Sequence, residues 1–162
     1  MLRSLIIFLL PVLSYAAAPD LIDQYGESYA INGEDSVLVI VATPKKLRWV
    51  GKWEERLRKE LPELNSYRVT AALDTPPPGY EAIAENLRKR VPKDVSIAID
   101  TEGVWASKYD LDISEPCLLL LDADRQLVKQ YRGRPKGELL KTVRAELQPY
   151  FPNTADSGVT ED

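Results

Sequence analysis

Histidine is absent from this sequence, and cysteine occurs once, at Cys117. Without histidine the chain lacks the most common general base and the most common protein ligand of transition metals, so Ser-His and Cys-His catalytic arrangements are excluded. A single cysteine cannot form a disulfide within the chain, so the folded state must depend on its apolar core. No glycine-rich phosphate loop is present either. The sequence therefore predicts no metal site, no cofactor and no catalytic residue.

The charge of the chain has no strong excess of either sign. Lysine and arginine number 21 and aspartate and glutamate 25, which gives a net charge of −4 over 162 residues. The two signs are interspersed, so no basic arm or long acidic segment stands out. A domain that binds nucleic acid is usually strongly basic. This composition therefore argues against a nucleic-acid partner. The length of 162 residues suits one domain.

The N-terminus has the pattern of a cleavable signal peptide over residues 1–18. Arg3 precedes an apolar run at 5–13, and the small residues Ala16 and Ala18 occupy the −3 and −1 cleavage positions. A membrane-spanning helix needs about 20 apolar residues, and this run is much shorter. We therefore expect an exported protein that keeps no membrane span after cleavage.

Hydrophobic periodicity predicts alternating strands and helices after a lead-in segment at 19–36, which we expect to hold a short helical turn around Leu21. Continuous apolar runs predict buried strands at 37–42 and 117–121. Apolar residues three or four apart predict helices, with further strands between them. The other predicted strands are 67–73, 96–99 and 126–132, and the predicted helices are 46–61, 80–91, 104–110 and 135–150. A stiff proline-rich connection at 74–79 and a disordered acidic tail at 152–162 complete the chain.

This order of elements predicts an α/β fold. Strands that alternate with helices favour parallel pairing and right-handed crossovers. The last two strands flank a tight turn at 122–125, so they are expected to pair antiparallel. The predicted domain, 37–151, therefore has three layers: a mixed central sheet of about five strands, with helices on both faces.

Residues from about 37 to 148 resemble a known superfamily, and the C-terminal half carries the resemblance best. Residues 109–147 contain a Tyr-x-Leu segment, Pro116 before an apolar strand, an aspartate-rich hairpin, a strand that ends near Gly133, and a helix. This arrangement is similar to the thioredoxin-like superfamily, in the branch of exported TlpA/ResA-type proteins. By this match Pro116 occupies the family's cis-proline position. Residues 99–112 also resemble the YtfJ-type exported proteins, which are thioredoxin folds without the redox pair. The resemblance and the signal peptide together imply a periplasmic location.

The sequence departs from that family at the redox motif. The family's Cys-x-x-Cys lies just after the first long strand, where a helix N-terminus lowers the thiolate pKa. That stretch here is occupied by Pro44, Lys45, Lys46, Leu47 and Arg48, and no thiol is present. Dithiol–disulfide exchange needs two sulfur atoms. We therefore expect a redox-inactive protein rather than an enzyme.

The resemblance also implies a binding surface. In the family, the motif loop and the cis-proline loop form a groove that grips extended peptide. We therefore expect a binding module for another exported protein or peptide, and an alternative role is that of a structural subunit in an exported assembly. By this match the groove residues are Thr43, Pro44, Lys45, Lys46, Arg48, Trp49, Glu115 and Pro116.

Three features of this region each allow two interpretations. Cys117 is either a small buried residue of its strand or a reactive thiol of a one-thiol oxidoreductase or peroxide-reacting protein. The cations at 45, 46 and 48 are either solvated side chains or a site for an anionic ligand, because cations at a helix N-terminus are otherwise unfavourable. Trp49 falls off the apolar stripe of its helix, so it is either exposed for a partner or packed against the lead-in segment.

Overall fold

The computed structural model describes residues 21–32, 34–72 and 78–152. The predicted signal peptide, the tail after residue 152 and most of the proline-rich connection lie outside these ranges. The described chain forms a mixed sheet in the order β2-β1-β5-β4-β3-β6-β7. The strands are β1 (Leu21–Asp23), β2 (Ser28–Tyr29), β3 (Val37–Ala42), β4 (Ser66–Ala71), β5 (Ala98–Asp100), β6 (Cys117–Leu121) and β7 (Leu127–Arg132).

Helices cover both faces of this sheet, which confirms the predicted three-layer α/β architecture. One face packs against three helices through clusters that contain Leu38, Ile40 and Ile99. The opposite face packs against one short helix through Val39 and Trp105. The helices are α1 (Leu47–Arg58), α2 (Tyr80–Arg90) and α4 (Gly137–Leu147) on the first face and α3 (Val104–Lys108) on the second. Because both faces are covered, every residue of β3 and β6 is buried.

The pairing of the strands sets the direction of the helices. β3 pairs parallel with β4, and β4 pairs parallel with β5. β3 also pairs antiparallel with β6, and β6 pairs antiparallel with β7. Since α1 and α2 each connect two parallel strands, both helices begin at the carboxyl edge of the sheet and run back to its amino edge.

The prediction of about five strands was too low, because the lead-in segment adds two. β1 pairs antiparallel with both β2 and β5, where a helical turn around Leu21 was expected. The buried Gln24 fixes this segment: its Nε2 donates to the carbonyl of Val95 at 2.6 Å, and its Oε1 accepts from the amide of Ile97 at 2.8 Å. Asp23 accepts from Ser96 at 2.7 Å. Side-chain hydrogen bonds therefore hold a segment that has little apolar periodicity.

Gly133, directly after β7, has a backbone conformation and a close contact that a residue with a side chain would not tolerate. Its φ is +132°, and an added Cβ would lie 2.8 Å from Cδ2 of Leu139. Its amide donates to the carbonyl of Pro116 at 2.9 Å, and its carbonyl accepts from Nε1 of Trp53 at 2.9 Å. The backbone at this position therefore connects β6, β7 and α1.

We expect Gly133→Ala to lower the free energy of unfolding by about 1–3 kcal/mol, because alanine would be strained at this φ and would collide with Leu139. The matched control is Gly51→Ala, inside α1, where an added Cβ meets no atom within 4 Å. That change is expected to stabilise the protein by about 0.5–1 kcal/mol. Urea unfolding of both variants measures the difference, and equal effects would contradict the prediction.

Candidate functional site

The candidate site begins where β3 ends at the carboxyl edge of the sheet. Thr43 leaves the strand, and the amide of Lys46 donates to its carbonyl at 2.8 Å. Pro44 opens the 3₁₀ turn Pro44–Lys46, where its fixed φ and missing N–H are tolerated. α1 follows directly, and its first turn contains no acidic residue. The positive end of the helix dipole therefore lies next to Lys45, Lys46 and Arg48.

The two segments that the resemblance predicted as a groove lie next to each other. Nζ of Lys46 is 3.2 Å from Oε1 of Glu115 and also donates to the carbonyl of Ser114. Arg134 donates to the same Glu115 carboxylate at 3.1 and 3.2 Å. The hydrogen bond from Arg134, with that from Lys46, holds the pKa of Glu115 below its usual range. Pro116, the residue after Glu115, is buried.

Trp49 is half-buried and lies in a cluster of cations. The Cζ atoms of Arg48 and Arg134 are 5.0 and 5.1 Å from its ring centroid, and Nζ of Lys52 is 4.9 Å away. Neither earlier interpretation describes this arrangement fully: the ring is not fully exposed, and it packs beside the segment that follows β7. The face of the indole is electron-rich, so it stabilises these like charges at close range.

A groove of about 1030 Å³ opens on the α2 side of the same region. Of the predicted residues, Thr43 to Lys46 and Arg48 line it, together with Ile113 and Ser114. Trp49, Glu115 and Pro116 lie outside its described lining, so the predicted residues divide between two surfaces. Sequence reasoning missed the rest of the lining, which includes Arg68, Ala82, Ile83, Asn86, Arg90 and Ile97. The available signal for Arg90 was its place in the basic C-terminal turn of the predicted helix 80–91.

Cys117 is fully buried at the start of β6. Its Sγ lies 3.3 Å from the carbonyl of Asp112, to which the thiol donates. Burial raises the pKa of the thiol from its ordinary 9.0 to about 11. Cys117 is buried and its thiol pKa is raised, whereas a nucleophilic cysteine is accessible and has a lowered pKa. Its place in a buried strand is the one that the apolar run predicted.

We expect the stability of the protein to fall as the pH rises from about 9 to 11, by roughly 2 kcal/mol from this thiol alone. The folded state keeps the Cys117 proton in this window, whereas the unfolded state, with the lower pKa, loses it. Ionisation therefore favours unfolding. Urea unfolding of the wild type and of Cys117→Ala at each pH isolates the effect. A stability difference that stays constant across this window would contradict it.

Comparison with solved structures identifies the fold. The exposed lipoprotein thioredoxin Etrx1 of Streptococcus pneumoniae superposes with a TM-score of 0.62 at 15% identity, and the match covers 79% of this chain and 98% of that one. The N-terminal domain of PilB from Neisseria gonorrhoeae gives 0.64 at 10% identity over 86% and 94%.

The protein has a thioredoxin-like fold. A thiol-disulfide oxidoreductase from Bacteroides fragilis matches this thioredoxin-like chain with a TM-score of 0.52 at 21% identity, over 82% of this chain and 99% of that one. No protein-family model matches the sequence, and no curated protein matches it significantly. The superfamily resemblance of residues 109–147 is thereby supported at the level of the fold.

Membrane spans and metal clusters have recognisable signatures, and neither signature occurs in the described residues of this thioredoxin-like chain. In those ranges no helix has both the length and the apolar character to span a membrane. Among the same residues, no three side chains of the metal-binding types His, Cys, Asp and Glu group together as an ion would require.

Proposed function

We propose that this thioredoxin-like protein is an exported, periplasmic binding module that holds a partner protein or peptide and does not catalyse thiol–disulfide exchange. The observation that carries the proposal is the surface at the carboxyl edge of β3. There a groove of about 1030 Å³ adjoins the start of α1 at Thr43 to Arg48. Pockets that bind ligands are typically concave, largely apolar and furnished with a few polar groups.

The chemistry of the same region supports binding rather than redox catalysis. The residues between β3 and α1 are Thr43, Pro44, Lys45 and Lys46, and none of them carries sulfur. The sole thiol, Cys117, is buried in β6 and has a raised pKa. The alternative of a one-thiol oxidoreductase therefore requires Cys117 to become exposed and to ionise, and both steps oppose its environment.

Site-specific photo-crosslinking in the cells that produce the protein tests this proposal. A crosslinking residue placed at Arg48, which is exposed and lines the groove, is expected to give one discrete protein adduct. The control position is Lys141, which is 70% exposed on α4 and pairs only with its neighbour Glu138 among the contacts of the described chain. An adduct at both positions, or at neither, would refute the proposed binding surface.

The same cells also serve to test export of the protein. Mass spectrometry of the protein from a periplasmic extract is expected to show a chain that lacks residues 1–18. A full-length chain in the cytoplasmic fraction would refute the proposed location.

A further inference from the structure

The groove runs lengthwise between α1 and α2. Both helices begin at the carboxyl edge of the sheet, so Leu47 and Ala82 lie at one end of the groove, and Glu54 and Arg90 lie toward the other. At 1.5 Å per residue, the lining part of α1 from Leu47 to Glu54 is about 10 Å long, and that of α2 from Ala82 to Arg90 is about 12 Å. An extended peptide advances about 3.3 Å per residue, so a segment of about five residues, roughly 13 Å from its first to its last residue, matches the length of the groove.

The middle of the groove is apolar. The α2 residues Ile83 and Leu87 form one wall, and Ile97 before β5 contributes to the floor. Ile83, Leu87 and Ile97 belong to a core cluster against which Leu47 packs. These three side chains are 3–5% exposed, so the apolar surface that a ligand can bury comes from the half-buried Leu47 and Val95, which pack against them.

Cations lie at both ends of the groove. Lys45, Lys46 and Arg48 line the end at the start of α1, and Arg90 lines the end at the close of α2. Lys46 is engaged by Glu115, as described above. Within the described ranges, neither Arg48 nor Arg90 has a carboxylate at ion-pairing distance.

The acidic residue in the described lining is already neutralised. Oε2 of Glu54 is 2.7 Å from the Arg68 guanidinium, and its Oε1 accepts from Ser66 at 2.8 Å. The groove is therefore cationic, although the chain as a whole carries a net charge of −4. A local excess of this sign in an acidic protein is complementary to an anionic ligand.

We infer that the groove binds an extended acidic peptide segment of about five residues, with a carboxylate on the first and the fifth and an aliphatic side chain on the third, because an extended chain places these three on one face. This inference rests on the proposed function and specifies the chemistry of its partner. One carboxylate meets Arg48 at the start of α1, and the other meets Arg90 at the close of α2. Charge at both ends favours a peptide over a fatty acid or lipid, whose single anionic head would satisfy one end only.

Fluorescence anisotropy with a labelled Gly-Glu-Ser-Val-Ser-Glu-Gly peptide, blocked at both termini, tests the inference, because both glutamates and the valine lie on one face of the extended chain. The peptide is expected to bind at low salt and to weaken as salt is added. Arg90→Glu and, separately, Arg48→Glu are expected to raise its Kd about tenfold or more, because each removes a charge-assisted hydrogen bond and adds repulsion. The matched control is Lys141→Glu, which makes the same change in net charge on α4 and should alter Kd less than about twofold.

Two further probes separate the outcomes. Replacement of both glutamates of the peptide by lysine is expected to abolish binding, and decanoate is expected not to displace the bound peptide. Equal binding of the lysine peptide, equal effects of the Arg90 and Lys141 substitutions, or full displacement by decanoate would overturn the inference. If the Arg48 crosslinker captures a partner but the acidic peptide does not bind, the binding function survives and the proposed ligand chemistry does not.

Discussion

Trp53→Ala is expected to lower the free energy of unfolding by about 3–5 kcal/mol, one of the largest effects of any single side chain in this protein. Trp53 is fully buried between α1 and the sheet, in the cluster that contains Leu38 and Leu120. Its Nε1 also donates to the carbonyl of Gly133 at 2.9 Å. The substitution therefore leaves a cavity and removes the hydrogen bond that ties α1 to the end of β7.

Trp49 provides the matched control, four residues earlier in the same helix. It is half-buried, and its ring lies close to the cations of Arg48, Lys52 and Arg134. Trp49→Ala is expected to cost no more than about 1.5 kcal/mol, the range of exposed cation–π contacts and partial burial. Urea unfolding monitored by far-UV circular dichroism compares the two. Similar losses for both variants would show that this account of the α1 core is wrong.

Glu54→Gln is expected to cost about 2–4 kcal/mol. The Glu54 side chain is 6% exposed, and it accepts from Arg68 at 2.7 Å and from Ser66 at 2.8 Å. Removal of one partner of a buried pair leaves the other charge partly desolvated without compensation. Because the Arg68 side chain keeps 26% exposure, water recovers part of this cost, and the expected loss lies below that of a fully buried pair.

Glu55→Gln is the natural control for this substitution. Glu55 is the next residue of α1, its side chain is 66% exposed, and its partner Lys59 lies 3.4 Å away on the helix surface. Exposed pairs of this kind contribute about 0.3–0.5 kcal/mol. A chemically identical change at adjacent positions therefore separates burial from the loss of a carboxylate. Equal midpoints in urea for the two variants would refute the assigned role of Glu54.

The central strands β3 and β6 were predictable because burial on both faces requires an apolar residue at every position. The apolar runs at 37–42 and 117–121 match β3 and β6 to the residue, since strands covered on both faces contain no polar positions. β1 and β2 were not predicted as strands. They contain three and two residues, and β1 is fixed by hydrogen bonds of Asp23 and Gln24 to residues more than 70 positions away. Such contacts leave no periodic signal.

Only those parts of the candidate site that depend on local sequence or on the resemblance could be predicted. The end of β3 and the loop before β6 were located from local sequence and from the resemblance, and Lys46 does reach Glu115. From the sequence, Arg90 is only a residue of the predicted helix 80–91, and Arg68 only a residue of the predicted strand 67–73. Their place beside the groove depends on the parallel packing of α1 and α2, which no local pattern determines. Topology therefore decided which cations face the groove.

The position of β3 in the sheet has a consequence for how the chain folds. Its parallel partner β4 begins 24 residues after β3 ends, whereas its antiparallel partner β6 begins 75 residues after that point. A chain that crosses a membrane or leaves the ribosome N-terminus first thus presents one apolar edge of β3 until residue 121 has followed. Pairing over such separations is slow, because the loop must close before the contacts form. Until then the strand Val37–Ala42 is an aggregation-prone edge, and a chaperone that covers it would raise the yield of folded protein.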